Sequence, residues 1–380
     1  MSIKVAFHIH NLNRGGAERV VVNLAQHFVR DGFETSIITM EKAETEYEVP
    51  KGVRRICLTK NEEKKTPGLI RRLVLLRKKS RLLREVLKKE RPDIVIAFDK
   101  SASFRACDAA KGICPVLVSV RNDPAKDFSG RANQFFCRKY LYRADGCVFQ
   151  TRQAQEFFPD SFAKKSRIII NPLNEKYQKV DGVKDEERED IIVTAGRISA
   201  QKNQVLLVRA FARAKREALC MKNTKLRIYG KDSHDGSMQR IEEAISDNDL
   251  KDYVNLMGNS DSLEKELIGA KMFAFSSDYE GMPNALMEAM AMGIPSISTD
   301  CPCGGPAELI EDGENGLLVS VGDERALADA MVRLYSDDAL RIKISERGLE
   351  MRERADGARI FGEWKAYVIE LLDSAGRCRG

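Results

Sequence analysis

Two cations and two carboxylates stand at spacings that could hold a phosphorylated sugar. Arg197 and Lys202 frame the stretch Gly196-Arg197-Ile198-Ser199-Ala200-Gln201-Lys202-Asn203. An apolar strand precedes it and a helical pattern follows. A glycine permits the tight turn, and backbone N–H groups at a helix N-terminus favour anions. Two bases at such a place read as a diphosphate site, or more plainly as a turn with solvated charges. Glu280 and Glu288 lie in and behind the loop Ser276-Ser277-Asp278-Tyr279-Glu280-Gly281-Met282-Pro283-Asn284. Gly281 and Pro283 fix an irregular loop with exposed amides, and Asn284 is expected to cap the helix running to Met292. Carboxylates placed there suit hydrogen bonding to sugar hydroxyls.

Two weaker signals share this logic. Cys303-Gly304-Gly305-Pro306-Ala307-Glu308 leads glycines into another helix start, where amides could meet a phosphate. Gly15-Gly16-Ala17-Glu18-Arg19 follows the first strand. It is neither a GxGxxG dinucleotide fingerprint nor a Walker A loop, which disfavours a dehydrogenase or an NTPase. His8 and His10 lie on that strand, and His10 is a possible site residue. Cys301-Pro302-Cys303 has no histidine nearby, so no zinc site is expected there. Asp247-Asn248-Asp249 has the D-x-D form of a metal signature but reads as a solvated loop.

The elements that must position these residues are parallel βα units, because apolar β-branched runs alternate with helical patterns. In the first half the spacing predicts strands at Ile3–Ile9, Ser36–Met40, Ile94–Phe98, Val116–Val120, Gly146–Gln150 and Arg167–Asn171. A helix with Ala17, Val20, Val21, Leu24, Ala25 and Phe28 on one face follows the first. The second half predicts strands at Ile191–Ala195, Leu226–Tyr229, Val254–Met257, Met272–Ser276 and Pro295–Thr299, with a helix at Gln204–Leu219. A last helix, Ala358–Leu372, carries the single tryptophan, Trp364. The expected division is an N-terminal domain at 1–174, a polar linker at 175–190, a second domain at 191–355 and a C-terminal helix at 356–380 that returns to the first domain. Two doubly wound halves place a ligand at the carboxyl ends of their strands, in a central cleft.

The 380 residues are 43% hydrophobic and 32% charged, the balance of a globular chain. No long apolar run or signal peptide is read, and nine unpatterned cysteines fit a reducing compartment. The net charge of +6 conceals an asymmetry. Met1 to Val180 holds 36 Lys/Arg and 20 Asp/Glu (36 − 20 = +16), and the remainder 27 and 37 (27 − 37 = −10). Leu69 to Arg91 alone holds ten bases and two acids, with Leu69, Leu73, Leu76, Leu83 and Leu87 on one stripe. That stripe is expected to be buried, leaving a basic face for an anionic membrane. No aromatic residues interleave the basic run, so nucleic acid is not expected as a partner.

Together these segments resemble glycosyltransferase family 4, the retaining enzymes of the GT-B fold, over nearly the whole chain and most strongly from Gly196 to Leu318. The resemblance implies an α/β protein of two Rossmann-like domains facing a cleft. The family's G-R-x-x-x-x-K stretch matches Arg197 and Lys202, which would hold the donor diphosphate. Its E-x7-E pattern matches Glu280, for the donor sugar, and Glu288, for the ribose. Gly281, Met282, Pro283 and Asn284 would contact the sugar, while Gly15 and Gly16 would approach donor phosphate or acceptor. The histidine that many members carry after an N-domain strand is missing here. The chain reads Ser119-Val120-Arg121-Asn122-Asp123-Pro124, and Arg121 or Asn122 is the candidate replacement.

The implied activity moves a hexose or N-acetylhexosamine from a nucleotide sugar, UDP-linked by resemblance, to a saccharide acceptor. A lipid-linked acceptor is expected, in cell-surface polysaccharide assembly, on the inner face of the cytoplasmic membrane. Catalysis would rest on Glu280, Arg197 and Lys202, with no cofactor and no metal. The alternatives are a non-catalytic partner subunit on the same scaffold and a nucleotide-sugar epimerase.

Overall fold

The computed structural model describes residues 2–13, 15–59 and 69–376, the side chains of Leu69 and Ile70 excepted. The chain divides into two compact units, Met1–Pro172 with Ala358–Gly380, and Leu173–Gly357.

Unit 1 is built on a seven-stranded sheet, in the order β3-β2-β1-β4-β5-β6-β7, and every pairing is parallel. Its strands are β1 (Lys4–Ile9), β2 (Glu34–Thr39), β3 (Arg54–Cys57), β4 (Ile94–Phe98), β5 (Val116–Ser119), β6 (Gly146–Phe149) and β7 (Ser166–Ile168). The central strands β4, β5 and β6 are buried at every residue, as a parallel sheet covered on both faces requires. β3 was not expected from the sequence. It is an edge strand whose residues stay partly exposed, so Arg54 and Arg55 can occupy it and no apolar run marks it.

Helix α1 (Gly16–Arg30) buries Val20, Val21, Leu24, Ala25 and Phe28 of the face its spacing predicts, and Ala17 at its first turn is half-buried against the same core. α2 (Leu69–Glu90) packs on α3 (Lys100–Ala109). On α2, Leu83 and Leu87 are fully buried and Leu73 and Leu76 half-buried, while the Leu69 side chain lies outside the described residues. The last helix, Gly357–Ser374, closes the same core. Trp364 is fully buried and stacks on Phe98 at 5.6 Å, and the Tyr367 hydroxyl accepts from the Cys147 N–H.

Unit 2 has a six-stranded parallel sheet, β10-β9-β8-β11-β12-β13. These strands are β8 (Glu189–Ala195), β9 (Lys225–Tyr229), β10 (Val254–Gly258), β11 (Ala270–Phe275), β12 (Ser296–Thr299) and β13 (Leu317–Val319). The unexpected β13 is a three-residue edge, too short to show a period. Segment 175–190, expected as a linker, is part of this unit. It forms a short helix at Glu175–Gln178 and a turn at Asp185–Glu187, and β8 already starts at Glu189. Asp185 receives Arg341 at both carboxylate oxygens, at 2.8 and 2.6 Å. Arg188 donates to the carbonyls of Ala270 and Gly293, at 3.0 and 2.6 Å. The low apolar content that resembled a linker comes from side chains that anchor by charge.

Strand order reverses between β1 and β4 in unit 1, and between β8 and β11 in unit 2. In open α/β sheets such a switch point leaves a crevice at the carboxyl ends of the strands.

Candidate functional site

Both main motif loops of unit 2 leave its switch point. β8 runs into Gly196 and β11 into Ser276. The loops are laced to each other. The Asp278 N–H donates to the Gln201 carbonyl and Gln201 Nε2 to the Tyr279 carbonyl, both at 2.9 Å. Ser276 Oγ donates to the Lys202 carbonyl at 3.0 Å. Asn203 takes a left-handed conformation (φ 45°, ψ 46°) that asparagine tolerates better than most residues. Its side chain accepts from Leu206 N at the start of helix Gln204–Glu217 and donates to Asp278 Oδ1 at 2.8 Å.

The lacing sets Lys202 Nζ 2.6 Å from Glu280 Oε1, with these side chains 16% and 9% exposed. Nζ also lies over the Phe275 ring, 4.8 Å from its centroid. A third loop fixes the Glu280 backbone. Its N–H donates to the Pro302 carbonyl at 2.6 Å, and its carbonyl accepts from Cys303 N at 2.9 Å. Two glycines make these approaches possible. A Cβ at Gly305 would collide with the Gly281 carbonyl oxygen, and one at Gly230 with that of Gly196. Gly230 was not singled out from the sequence, where an isolated glycine after a strand carries little signal.

The other expected donor residues fall into place unevenly. Arg197 is exposed, and its guanidinium has no partner among the described residues, while its carbonyl accepts from Gln204 Nε2 at 3.0 Å. Glu288 is 5% exposed within helix Asn284–Ala291. Gly281, Met282 and Pro283 are buried and Asn284 half-buried. Asn284 does not cap that helix. Pro283 occupies the N-cap with φ −78° and ψ 95°, Asn284 is the first helical residue, and no side chain caps the turn. In the third motif Cys301 and Cys303 are buried, and burial pushes the Cys301 thiol up to about 12. Asp247, Asn248 and Asp249 end helix Ser237–Asp247, and Asn248 bonds Arg216 and the Ala244 carbonyl.

At the switch point of unit 1 the polar groups are buried instead. His8 is fully buried, and its Nδ1 lies 2.9 Å from the Ile38 carbonyl. Arg105 Nε, 4% exposed, donates to His8 Nε2 at 3.1 Å. A guanidinium can only donate, so Nε2 accepts and Nδ1 carries the proton. Burial, then the Arg105 charge, holds His8 down to about 3. Burial likewise lowers Arg105, opposed by the charges of Asp99 and Glu41. His10, half-exposed, places Nε2 2.7 Å from Glu41 Oε1. Glu41 and Arg105 were not singled out, because they stand 31 and 97 residues from their histidine partners and no local pattern links them.

Gly15 is the extended N-cap of α1 without a side-chain cap bond, and Gly16 opens the helix exposed to solvent. The Arg121 guanidinium reaches Asn171 Oδ1 and lies 5.4 Å from the Phe98 centroid, where burial lowers it to about 9. Asn122 hydrogen-bonds Asp127. Eight described cysteines are free thiols, and Cys378 lies outside the described residues.

Known proteins resemble the chain over nearly its whole length. The family model described as Glycosyltransferase Family 4 matches residues 14–176, and that described as Glycosyl transferases group 1 matches 189–337. One relative is the GalNAc-alpha-(1->4)-GalNAc-alpha-(1->3)-diNAcBac-PP-undecaprenol alpha-1,4-N-acetyl-D-galactosaminyltransferase of Campylobacter jejuni. It is 26% identical over 98% of this chain and 100% of its own. Sucrose-phosphate synthase from Thermosynechococcus elongatus superposes with a TM-score of 0.82 at 19% identity, over 98% of this chain and 100% of that one. Anabaena HepE in complex with UDP does so at 0.75 and 17%, over 98% and 100%. With its two Rossmann-like parallel sheets and family matches to both halves, the chain belongs to glycosyltransferase family 4 and is a glycosyltransferase of the GT-B fold.

Proposed function

We propose that the enzyme transfers a hexose or N-acetylhexosamine from a UDP-sugar to a lipid-linked saccharide, with retention at the anomeric carbon. The observation that carries this reading is the Lys202–Glu280 contact at the switch point of unit 2, with Arg197 exposed in the same loop as the lysine. A diphosphate entering there would take Lys202 from Glu280 and recruit Arg197, releasing the glutamate to hold the sugar. Glu288 is assigned to the ribose, and the N-terminal end of helix Asn284–Ala291, which no side chain caps, to anionic oxygens. The acceptor oxygen attacks C1 on the face that the diphosphate leaves. The C1–O bond to phosphate breaks, and the acceptor proton passes to the departing oxygen. Arg197 and Lys202 stabilise the charge that develops. Two cations already serve the leaving group, so turnover is expected to survive EDTA, and its abolition would contradict the assignment.

The acceptor class draws support from the Campylobacter relative, whose name specifies an undecaprenol-diphosphate saccharide, and UDP from the HepE complex. Among the described residues no helix is long and apolar enough to cross a membrane. Membrane contact is assigned to the basic face of α2, where each cation near an anionic surface contributes about 1 kcal/mol. On this reading the enzyme works peripherally at the inner face of the cytoplasmic membrane. NMR of the product tests the chemistry. A glycosidic bond with the donor's anomeric configuration is expected, and an inverted centre would overturn the mechanism.

A further inference from the structure

A basic cavity lies in unit 1, in the seam of α2 and α3. It has a volume of about 320 Å³ and is lined by Arg77, Ser80, Arg81, Arg84, Asp108 and Lys111, with Ala109. That size sits at the lower end of small-ligand sites. Arg77, Arg81 and Arg84 follow one another at i+4 and i+3, which brings three like charges to one helix face and disfavours the bare helix. Lys111 adds a fourth cation from beyond α3, against the one acid of the lining, Asp108. Two of the cations have work inside the fold. Arg84 donates to the carbonyls of Ala109 and Lys111, at 2.7 and 2.8 Å, closing the C-terminus of α3, and Arg77 lies beside the Tyr140 phenol. Arg81 and Lys111 are exposed, and their side chains have no partner among the described residues.

Ser80 supplies an independent sign. It is 3% exposed, and its Oγ has no hydrogen-bond partner. A buried hydroxyl without a partner is costly, and here it stands in the lining of a cavity with surplus positive charge. A tetrahedral oxyanion meets both demands, because it accepts from a hydroxyl and from several cationic donors together.

We propose that this cavity binds a phosphate group, borne by an anionic phospholipid head or by a soluble phosphate ester. α3 runs back from the carboxyl end of β4, so its C-terminus lies toward the amino edge of the sheet, opposite the edge that carries His10 and Asp99. The site is thus separate from the switch point. The inference does not rest on the transferase reading, since its residues take no part in donor binding and its assay needs no turnover.

The test titrates the full chain with glycerol 3-phosphate, and with vesicles of phosphatidylcholine alone or mixed with phosphatidylglycerol. The double variant R81Q/K111Q is compared with R71Q/K89Q, which removes the same charge elsewhere on α2. R81Q/K111Q should bind at least one phosphate probe about tenfold more weakly than R71Q/K89Q, which gives up the same charge and the same diffuse attraction to an anionic surface but leaves the cavity intact. S80A, which alters no charge, should lose about fivefold, the scale of one hydrogen bond. Loss confined to phosphatidylglycerol vesicles assigns the lipid head, and loss with glycerol 3-phosphate assigns the soluble ester. Equal losses in both double variants, or no saturable binding of either probe by the wild type, would overturn the proposal.

Discussion

The two sheets put charge at the same topological place and treat it oppositely. At the β1/β4 switch point, His8 and Arg105 are buried, with Arg105 Nε bonded to the ring. At the β8/β11 switch point, Lys202 touches the buried Glu280 while keeping 16% of its own side chain exposed, and Arg197 of the same loop stands in solvent. Burial fixes the protonation of the first pair and denies it exchange with a ligand. Partial exposure leaves the second pair able to trade partners. The contrast indicates that unit 1 uses its central polar pair to hold structure, and unit 2 uses its own to hold an anion.

The sharpest way to break this contrast is to remove one member of the buried pair. His8→Ala leaves the Arg105 charge without its acceptor and should cost about 3–5 kcal/mol in a urea-unfolding measurement. The double change H8L/R105M should recover most of that stability. If H8A alone were neutral, the pair would have no structural role. Acid sharpens the same point. His8 titrates near 6.5 when unfolded and at about 3 when folded, so below 6.5 the unfolded chain binds the extra proton. Stability should therefore fall between pH 6.5 and 3, by at most about 1.4 kcal/mol per unit from this group, and H8L/R105M should lose that component.

In unit 2 the effects should appear in turnover at preserved stability. K202A and R197A should each lower the rate about 100-fold or more, the scale of losing one oriented donor to developing charge. Near-wild-type rates would remove these residues from the mechanism. A smaller change is expected for G305A, whose methyl would press on the Gly281 carbonyl and displace the loop bearing Glu280. Turnover should fall about tenfold, a loss that 1.4 kcal/mol of misplacement accounts for. An unaltered rate would show that the loop tolerates movement.

The sequence made the repeating βα pattern legible because buried parallel strands are continuous apolar runs, as at Ile94–Phe98 and Val116–Ser119. Edge strands escaped it, since Arg54–Cys57 and Leu317–Val319 need no such run. Arg197, Lys202 and Glu280 were readable as motif residues, whereas the contacts that make a site of them were not. Gln201, Asn203, Ser276 and Asp278 act through main-chain and amide bonds across more than 70 residues, and polar residues in loops have no periodicity to betray such pairing. Asn284 shows the reverse error. It is a good capping residue by type, yet the backbone at Pro283 moves the helix boundary one position earlier.

The central claim is that Lys202 exchanges a carboxylate for a diphosphate, and calorimetric titration with UDP tests it most directly. K202M should bind UDP about 100-fold more weakly than wild type. E280Q, which frees the lysine, should bind it at least as tightly while transferring sugar poorly. UDP binding by K202M at wild-type strength would contradict the account.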